Sequence, residues 1–175
     1  MTKYPNRDEC LDILKQTGCS EDVIKHCLVV TDIALAIANK ITEVDIGLVE
    51  AGGLLHDIGR SRTHEIGHAF SGADLARELS LPEELTLIIE KHIAAGIPPE
   101  TASELGLPPR DYIPGSLEEK IVAHADNLVE GHTRVDIERS IDILKGRGLD
   151  EAAERVLKLH QELSELAKMD IDEIK

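Results

Sequence analysis

The chain has 175 residues, which suits one ordinary domain, and it carries a formal net charge of −15. Such an acidic surface repels the phosphates of nucleic acids and anionic lipid head groups, so neither a nucleic-acid polymer nor a membrane is expected as a partner. A small anionic substrate stays possible, because bound metal ions reverse the field locally. The three cysteines, Cys10, Cys19 and Cys27, are too widely spaced to suggest a disulfide framework. No N-terminal stretch resembles a signal peptide, so the expected compartment is the cytoplasm.

The core must be aliphatic, because the chain has two Tyr, one Phe and no Trp. Strand-like alternation is also missing, and both features favour helices. Ser20 has the character of an N-cap, and Ser116 with Glu119 forms a capping box. Gly18 and Gly59 are predicted to stop helices. In chain order, helices are expected at about 7–17, 21–40, 45–57, 68–79, 82–93, 117–130, 135–145 and 150–169.

These elements predict an all-α bundle of about seven to eight helices, without a sheet. It would form a single domain over 1–175, with a core at about 20–130 and C-terminal helices at about 134–170. The segment 97–115 holds five of the seven prolines and predicts a loop with at most short turns that covers a site. An apolar stripe on the last helix predicts packing on its own domain or, alternatively, a homodimer contact. The stripe consists of Val156, Leu159, Leu163 and Leu166.

Several ionisable residues occupy positions where helix periodicity predicts a buried face. Asp126 has Val122 one turn earlier, and a carboxylate facing a core is costly unless a cation or hydrogen-bond donors meet it. His26 and His92 continue similar apolar stripes. For both, a hydrogen-bonded core histidine is the alternative, and Asp126 could instead lie at a hydrated helix edge. His160 has apolar neighbours too, and no role is assigned to it.

His56 and Asp57 are adjacent at the end of the apolar segment AGGLLHD, just before Gly59. Neighbouring helical residues diverge by about 100°, but both can reach one ion where the chain turns at a helix end. Imidazole and carboxylate together suit a divalent Fe, Mn, Ni, Zn or Mg ion. A His-Asp dipeptide alone is a weak signal.

The combined pattern is more specific, because five segments supply ligand-type residues in the order His, His-Asp, His, His, Asp. It resembles the HD superfamily of metal-dependent phosphohydrolases, whose HDIG signature is similar to LLHDIGR. The segment IVAHADNL resembles the one that carries the closing aspartate of that family. HAFSGADLAREL is similar to a block of the HD enzymes that cleave diadenosine tetraphosphate. The chain also resembles a group of short archaeal and bacterial HDIG-domain proteins, and the resemblance runs from His26 to about Glu130.

The resemblance implies an HD-domain helical bundle with a metal centre. By position, one divalent ion would be held by His26, His56, Asp57 and Asp126. His68 and His92 would hold a second ion, with Asp57 as the bridging ligand. Family members with one ion keep only the first set, so the additional histidines favour two ions.

The implied activity is hydrolysis of a small phosphate ester or anhydride, such as a nucleotide, by a metal-activated water. Asp57 would orient the nucleophile, and Arg60 would contact the substrate phosphate through its planar fork and assist catalysis. His64 would contact the phosphate too or, alternatively, assist the second metal. A non-catalytic HD module that binds a nucleotide is the alternative. The cyclic-dinucleotide branch of the superfamily is not expected, because that branch carries adjacent histidines, whereas Ile93 follows His92.

A competing motif is present, since His64, Glu65 and His68 spell the H-E-x-x-H signature of zinc proteases. That signature requires both histidines on one turn of a buried helix, with the glutamate as general base. Gly67 lies inside the motif and apolar framing is lacking. A zinc metalloprotease is therefore a minor alternative.

Overall fold

The structure is a computed structural model and describes residues 4–175. Within that range the regular secondary structure is almost entirely helical, which confirms the all-α prediction. All eight expected helices form, and one short helix adds to them. The α-helices are α1 (Arg7–Gln16), α2 (Glu21–Ala38), α3 (Ile46–Leu55), α4 (His68–Glu78), α5 (Glu83–Glu90), α6 (Pro99–Glu104), α7 (Leu117–Asn127), α8 (Ile137–Gly146) and α9 (Asp150–Ala167). Two 3₁₀ turns lie at Ile58–Ser61 and Ile171–Glu173.

The additional helix, α6, lies in the proline-rich segment, so the prediction of a loop there was wrong for residues 99–104. Pro99 occupies the first helical turn, where the missing N–H of proline has no partner to lose. Ala102 packs with Ile97 and Tyr112 in a small apolar cluster separate from the main core. The segment is thus held in place by its own side chains.

A two-stranded hairpin follows α7, so the prediction of no sheet was wrong at this point. β1 (Val129–Glu130) pairs antiparallel with β2 (Thr133–Arg134). α7 ends at Asn127, although its pattern predicted a helix to residue 130. Gly131 has a φ of +64°, which a tight turn requires and most side chains disfavour. The turn at Gly131 therefore favours a hairpin over continuation of α7 to residue 130.

Gly59 was expected to end α3, but α3 ends four residues earlier, at Leu55. The structure gives Gly59 a different task. A Cβ atom at this position would lie 1.9 Å from the carbonyl oxygen of His68 and 2.6 Å from the backbone nitrogen of Gly72. Glycine is needed here because the 3₁₀ turn crosses α4 backbone to backbone. This close approach brings His68 next to the end of α3.

The main core surrounds α2 and α3, which pack on each other and on α7. Its largest fully buried side chains are aliphatic, among them Leu54, Ile88 and Ile121. In α9, Val156, Leu159 and Leu163 are buried against the rest of the chain, whereas Leu166 is 43% exposed. The stripe on α9 therefore packs mostly on its own chain. Among residues 4–175, none of the helices has the length and apolar character needed to cross a membrane.

Candidate metal centre

The six predicted ligands come from five separate parts of the fold and meet at one place. His26 lies on α2, His68 begins α4 and Asp126 is near the end of α7. His56 and Asp57 follow α3 directly. His92 lies beyond the end of α5, not on the helical face that its apolar pattern predicted, because the helix stops at Glu90. Local sequence patterns place each side chain, but only the packing of the helices joins them.

The four histidines are oriented in the same way. In each, Nδ1 lies within hydrogen-bond distance of a backbone carbonyl, at 2.7–2.8 Å. The carbonyl of Gly131 faces His26, and that of Gly53 faces His56. The carbonyl of Glu65 faces His68, and that of Ile89 faces His92. In the neutral ring Nδ1 therefore donates to the carbonyl, which leaves Nε2 as the atom that can bind a metal. Such backbone hydrogen bonds fix the tautomer of metal-binding histidines in many proteins.

One group of ligand atoms surrounds Asp57 Oδ2. His26 Nε2 lies 3.8 Å and His56 Nε2 lies 3.7 Å from this oxygen. Asp126 Oδ1 lies 2.9 Å from His26 Nε2 and 3.5 Å from His56 Nε2. Ligand atoms that are each about 2.0–2.2 Å from one ion lie roughly 3–3.5 Å from one another. His26, His56 and Asp57 therefore lie close enough together to hold a divalent ion, and Asp126 lies beside two of them.

The other oxygen of Asp57 faces a second group. Asp57 Oδ1 lies 3.1 Å from His68 Nε2 and 3.4 Å from His92 Nε2. The two Nε2 atoms are only 3.1 Å apart. With both Nδ1 atoms protonated, neither Nε2 has a hydrogen to donate to the other, so two lone pairs face each other. A cation between them would remove this repulsion.

Two buried polar atoms in the centre have no hydrogen-bond partner, namely His56 Nε2 and Asp57 Oδ1. His56 is fully buried and Asp57 is 3% exposed. Buried polar atoms are satisfied in almost every protein, so these two indicate a missing partner. The donor set of imidazole nitrogens and carboxylate oxygens suits divalent transition metals, Mn or Mg. These residues therefore fit divalent metal around Asp57.

The charges of the centre are strongly coupled. Burial alone would raise the pKa of the Asp126 carboxyl, but the adjacent His26 and His56 imidazoles lower that pKa far below its usual value. Burial also acts to raise the pKa of Asp57, and the nearby His56 and His68 outweigh it, so the pKa is well lowered. Burial lowers the pKa of His92. Both carboxylates are thus ionised at neutral pH, as metal binding requires.

Arg60 and His64 border the centre without joining the ligands. Arg60 Nε donates a 2.8 Å hydrogen bond to Asp57 Oδ2. The guanidinium is therefore already paired with the predicted bridging carboxylate. His64 is exposed and lies in the connection before α4. Its contact with substrate stays a prediction.

The H-E-x-x-H motif does not have the structure of a zinc-protease helix. His64 and Glu65 precede α4, which begins only at His68. Both are exposed, whereas His68 is buried. Among residues 4–175, the groups that could hold a metal include His68 but neither His64 nor Glu65. The protease alternative therefore lacks its geometric basis.

Two cavities open onto the centre. The first, here called the hairpin cavity, has a volume of about 620 Å³ and runs along β1 and the Gly131 turn. The second, here called the α9 cavity, has a volume of about 920 Å³ and lies between α6 and the start of α9. Six residues line both: Arg60, His64, Asp126, Asn127, Leu144 and Arg147. The metal centre thus lies where two spaces of ligand size meet.

Some of these lining residues were missed by sequence reasoning. Asn127 donates to the carbonyl of Ala94 and holds the segment after His92 in place. Its position beside Asp126 in IVAHADNL was the available signal. Arg147 and Arg155 come from α8 and α9, and no motif marks them.

A second histidine cluster lies apart from the centre. His124 and His160 are buried and joined by a 2.9 Å hydrogen bond, and His160 Nε2 donates to Asp170 at 3.1 Å. His160, Asp170 and Asp172 lie close enough together to hold an ion, but Asp170 is exposed. No role was predicted for His124, His132 or His160.

Comparison with known proteins agrees with the geometry. Residues 23–131 match the HD domain family. An uncharacterized protein of Methanocaldococcus jannaschii is 53% identical over 167 residues, covering 92% of this chain and 98% of that protein. A tRNA (cytidine(56)-2'-O)-methyltransferase of Thermoplasma volcanium is 48% identical over 170 residues, covering 97% of this chain. The chain spans only 50% of that methyltransferase.

Among solved structures, the HD domain of the Listeria monocytogenes phosphodiesterase PgpH in complex with cyclic-di-AMP has a TM-score of 0.60. The match covers 92% of this chain and 94% of that one, at 18% identity. At this identity the likeness shows the fold alone. The family match covers more than half of the chain and includes all six predicted ligands. The chain therefore belongs to the HD domain family.

Proposed function

We propose that the protein is a metal-dependent phosphohydrolase that acts on a small phosphate ester or anhydride, such as a nucleotide. The observation that carries the proposal is the orientation of four histidines whose Nε2 lone pairs converge on the two oxygens of Asp57. The Nε2 lone pairs of His68 and His92 are 3.1 Å apart and would repel each other without a cation between them. Divalent ions held there would supply Lewis-acid activation of water and of a phosphoryl oxygen.

The residues of the chain have distinct tasks in this proposal. Asp57, in contact with both groups of ligand atoms, holds the nucleophile between them. Arg60, fixed to Asp57 by its 2.8 Å hydrogen bond, orients that carboxylate and presents its remaining N–H groups to the phosphate. Asp126 balances the positive charge on the His26 side. His64, at the junction of the two cavities, contacts the substrate phosphate.

The name of the Thermoplasma relative raises methyl transfer as a different activity. That relative is twice as long as the matched region, and the matched region contains the HD domain. We assign methyl transfer to the other half of that protein. The PgpH structure, named as a phosphodiesterase domain bound to a cyclic nucleotide, supports a phosphate ester as the substrate class for this fold.

The test is a hydrolysis screen on metal-loaded protein. Protein purified without chelators would be analysed for metals and then assayed with Mn²⁺, Fe²⁺, Ni²⁺, Zn²⁺ or Mg²⁺. The substrates would be nucleoside mono-, di- and triphosphates, dinucleoside polyphosphates, cyclic nucleotides and a short RNA. We expect release of a phosphate-containing product from a small nucleotide, and loss of that release in Asp126→Ala.

The alternative is a module that binds a nucleotide without cleaving it. Calorimetric binding of a nucleotide in the presence of metal, with no product after prolonged incubation, would favour this alternative. Absence of bound metal under every condition would contradict both. Cleavage of the RNA but of no small nucleotide would overturn the expectation that polymers are not substrates.

A further inference from the structure

The arginines of this acidic chain differ in how they are paired. Of nine arginines in the sequence, six form ion pairs with carboxylates, and Arg134 donates to two backbone carbonyls. The remaining two are Arg147 and Arg155. Within residues 4–175, these two guanidinium groups alone have neither a hydrogen bond nor an ion pair. Arg147 is exposed and is near enough to Glu130 to lower the pKa of that carboxyl, whereas Arg155 is half-buried.

Both unpaired arginines line the α9 cavity, and Arg147 lines the hairpin cavity as well. Arg155 is half-buried, and its Nε atom is buried without an acceptor. An unsatisfied buried N–H is destabilising, and more so when it belongs to a charged group. An anion that enters the cavity would provide the missing acceptor.

Carboxylates also line this cavity, but none of them forms an ion pair with Arg147 or Arg155. Besides the candidate ligand Asp126, the acidic residues that line it are all exposed, namely Glu65, Glu104, Asp150 and Glu151. Glu151 lies one turn before Arg155 on α9, where a pair could form, yet no carboxylate oxygen lies within the 4.0 Å of an ion pair. The acidic side chains thus lie in water at the rim, and solvent screens their repulsion of an anion.

We propose that Arg147 and Arg155 form a second anion subsite, which binds a phosphoryl group of the substrate other than the one at the metal centre. The proposal rests on the phosphohydrolase function proposed above and extends it to the substrate. Guanidinium groups match phosphate oxygens in charge and in planar geometry. The substrate class is therefore a phosphate compound with at least two phosphoryl groups, and its second group extends into the α9 cavity.

The subsite is supplied by the helices that follow the family match. Arg147 caps the C-terminal end of α8 and Arg155 lies on α9, whereas the match to the HD domain ends at residue 131. The metal ligands all lie within the match. The division assigns cleavage to the HD domain and recognition of the second phosphoryl group to the C-terminal helices.

The experiment compares compounds with one and with two phosphoryl groups that cannot be hydrolysed. Methylphosphonate and a series of alkane bisphosphonates with one to four bridging carbons would be titrated calorimetrically into Mn²⁺-saturated protein. We expect at least one bisphosphonate to bind more than tenfold more tightly than methylphosphonate. Arg155→Met and Arg147→Met should each reduce that advantage by roughly tenfold to a hundredfold, the effect of removing a hydrogen bond to a charged group.

The matched control is Lys158→Met, which removes one positive charge from an exposed position on the same helix outside the α9 cavity. It should keep the full advantage of the bisphosphonate. Bisphosphonates also chelate loosely held Mn²⁺, but this contribution is the same for every variant. Only differences in bisphosphonate affinity between the variants therefore report on the arginines. Thermal unfolding would establish that each variant is folded.

The outcomes separate the two proposals. If methylphosphonate binds but no bisphosphonate binds more tightly, the second subsite is wrong and the phosphohydrolase function stands. The second subsite is also wrong if Arg155→Met and Arg147→Met still bind the bisphosphonate as much more tightly than methylphosphonate as wild type does. It is wrong as well if Lys158→Met loses this preference to the same extent as the arginine variants. If neither class of compound binds to wild-type protein, the proposed function is contradicted, and the subsite with it.

Discussion

Two groups of buried histidines in this protein show how a candidate metal ligand differs from a core histidine. In the candidate metal centre, the Nδ1 atoms of four histidines meet backbone carbonyls, and the Nε2 atoms face one another and two carboxylates. In the second cluster, His160 Nε2 donates to Asp170, so His160 Nδ1 is free to accept from His124 Nε2. The links from His124 to His160 and from His160 to Asp170 therefore need no ion, although His124 Nδ1 and Asp172 Oδ1 are buried without a hydrogen-bond partner.

The comparison teaches that burial and apolar neighbours do not identify a metal ligand. His160 and His92 have similar apolar patterns in the sequence, and both are buried. What separates them is the direction of the second ring nitrogen. The four predictions that follow test this distinction, from the largest expected effect to the smallest.

The largest effect is expected for Asp57→Ala. Its two oxygens face different groups of ligand atoms, so the substitution weakens both ion sites at once. We expect turnover of a screened nucleotide at saturating Mn²⁺ to fall on the order of 10³-fold, because water activation depends on the ions. His68→Ala and His92→Ala should lose less. Near-normal turnover in Asp57→Ala, with a large loss in His68→Ala, would contradict the bridging role.

Metal should stabilise the protein through the first group of histidines and not through the second. A ligand present at a hundred times its Kd stabilises by about 2.7 kcal/mol, which raises Tm by roughly 5–10 °C for a chain of this size. We expect this shift for wild type on addition of Mn²⁺, its loss in His56→Ala, and its retention in His160→Ala. An equal loss in both variants would show that the second cluster also holds an ion.

The pH dependence of stability should reveal the second cluster. Burial lowers the pKa of His124 to about 3 from its usual value of 6.5. Below pH 6.5, His124 is protonated in the unfolded chain but stays neutral in the folded chain. His124 therefore lowers the free energy of unfolding as the pH decreases towards 3. Between pH 7 and pH 5 its share of the loss is about 2 kcal/mol.

His124→Gln removes the titrating group and can still donate to His160. Urea unfolding of metal-free protein at both pH values should therefore show a smaller loss for the variant than for wild type. The metal-centre groups are common to both proteins, and their contributions cancel in the difference. Equal losses in the two proteins would mean that His124 is protonated in the fold.

The smallest effect is expected for Glu65→Gln. Glu65 is exposed and precedes α4, so it is not placed as the general base of a zinc protease. Turnover should stay within about twofold of wild type, because the Glu65 side chain lies in water at the rim of the α9 cavity and only its backbone carbonyl contacts a candidate ligand, His68. A collapse of activity in Glu65→Gln with retention in Asp126→Ala would restore the protease alternative.

The local sequence was sufficient for the fold class and for most of the elements. Caps such as Ser20 and Ser116, together with apolar periodicity, predicted all eight main helices, since these signals act within a few residues. The short helix α6 and the hairpin were missed. Both depend on turn chemistry at prolines and at Gly131, which competes with helical periodicity at close range.

The six candidate ligands could also be found from the sequence, because a resemblance linked five distant segments that no periodicity connects. Their convergence was decided only in three dimensions. His92 lies beyond the end of α5, and Gly59 allows a backbone contact that brings His68 next to Asp57. The unpaired state of Arg147 and Arg155 is likewise invisible in the sequence. Pairing depends on which carboxylates the tertiary packing brings within reach, and one-dimensional patterns carry no information about such distances.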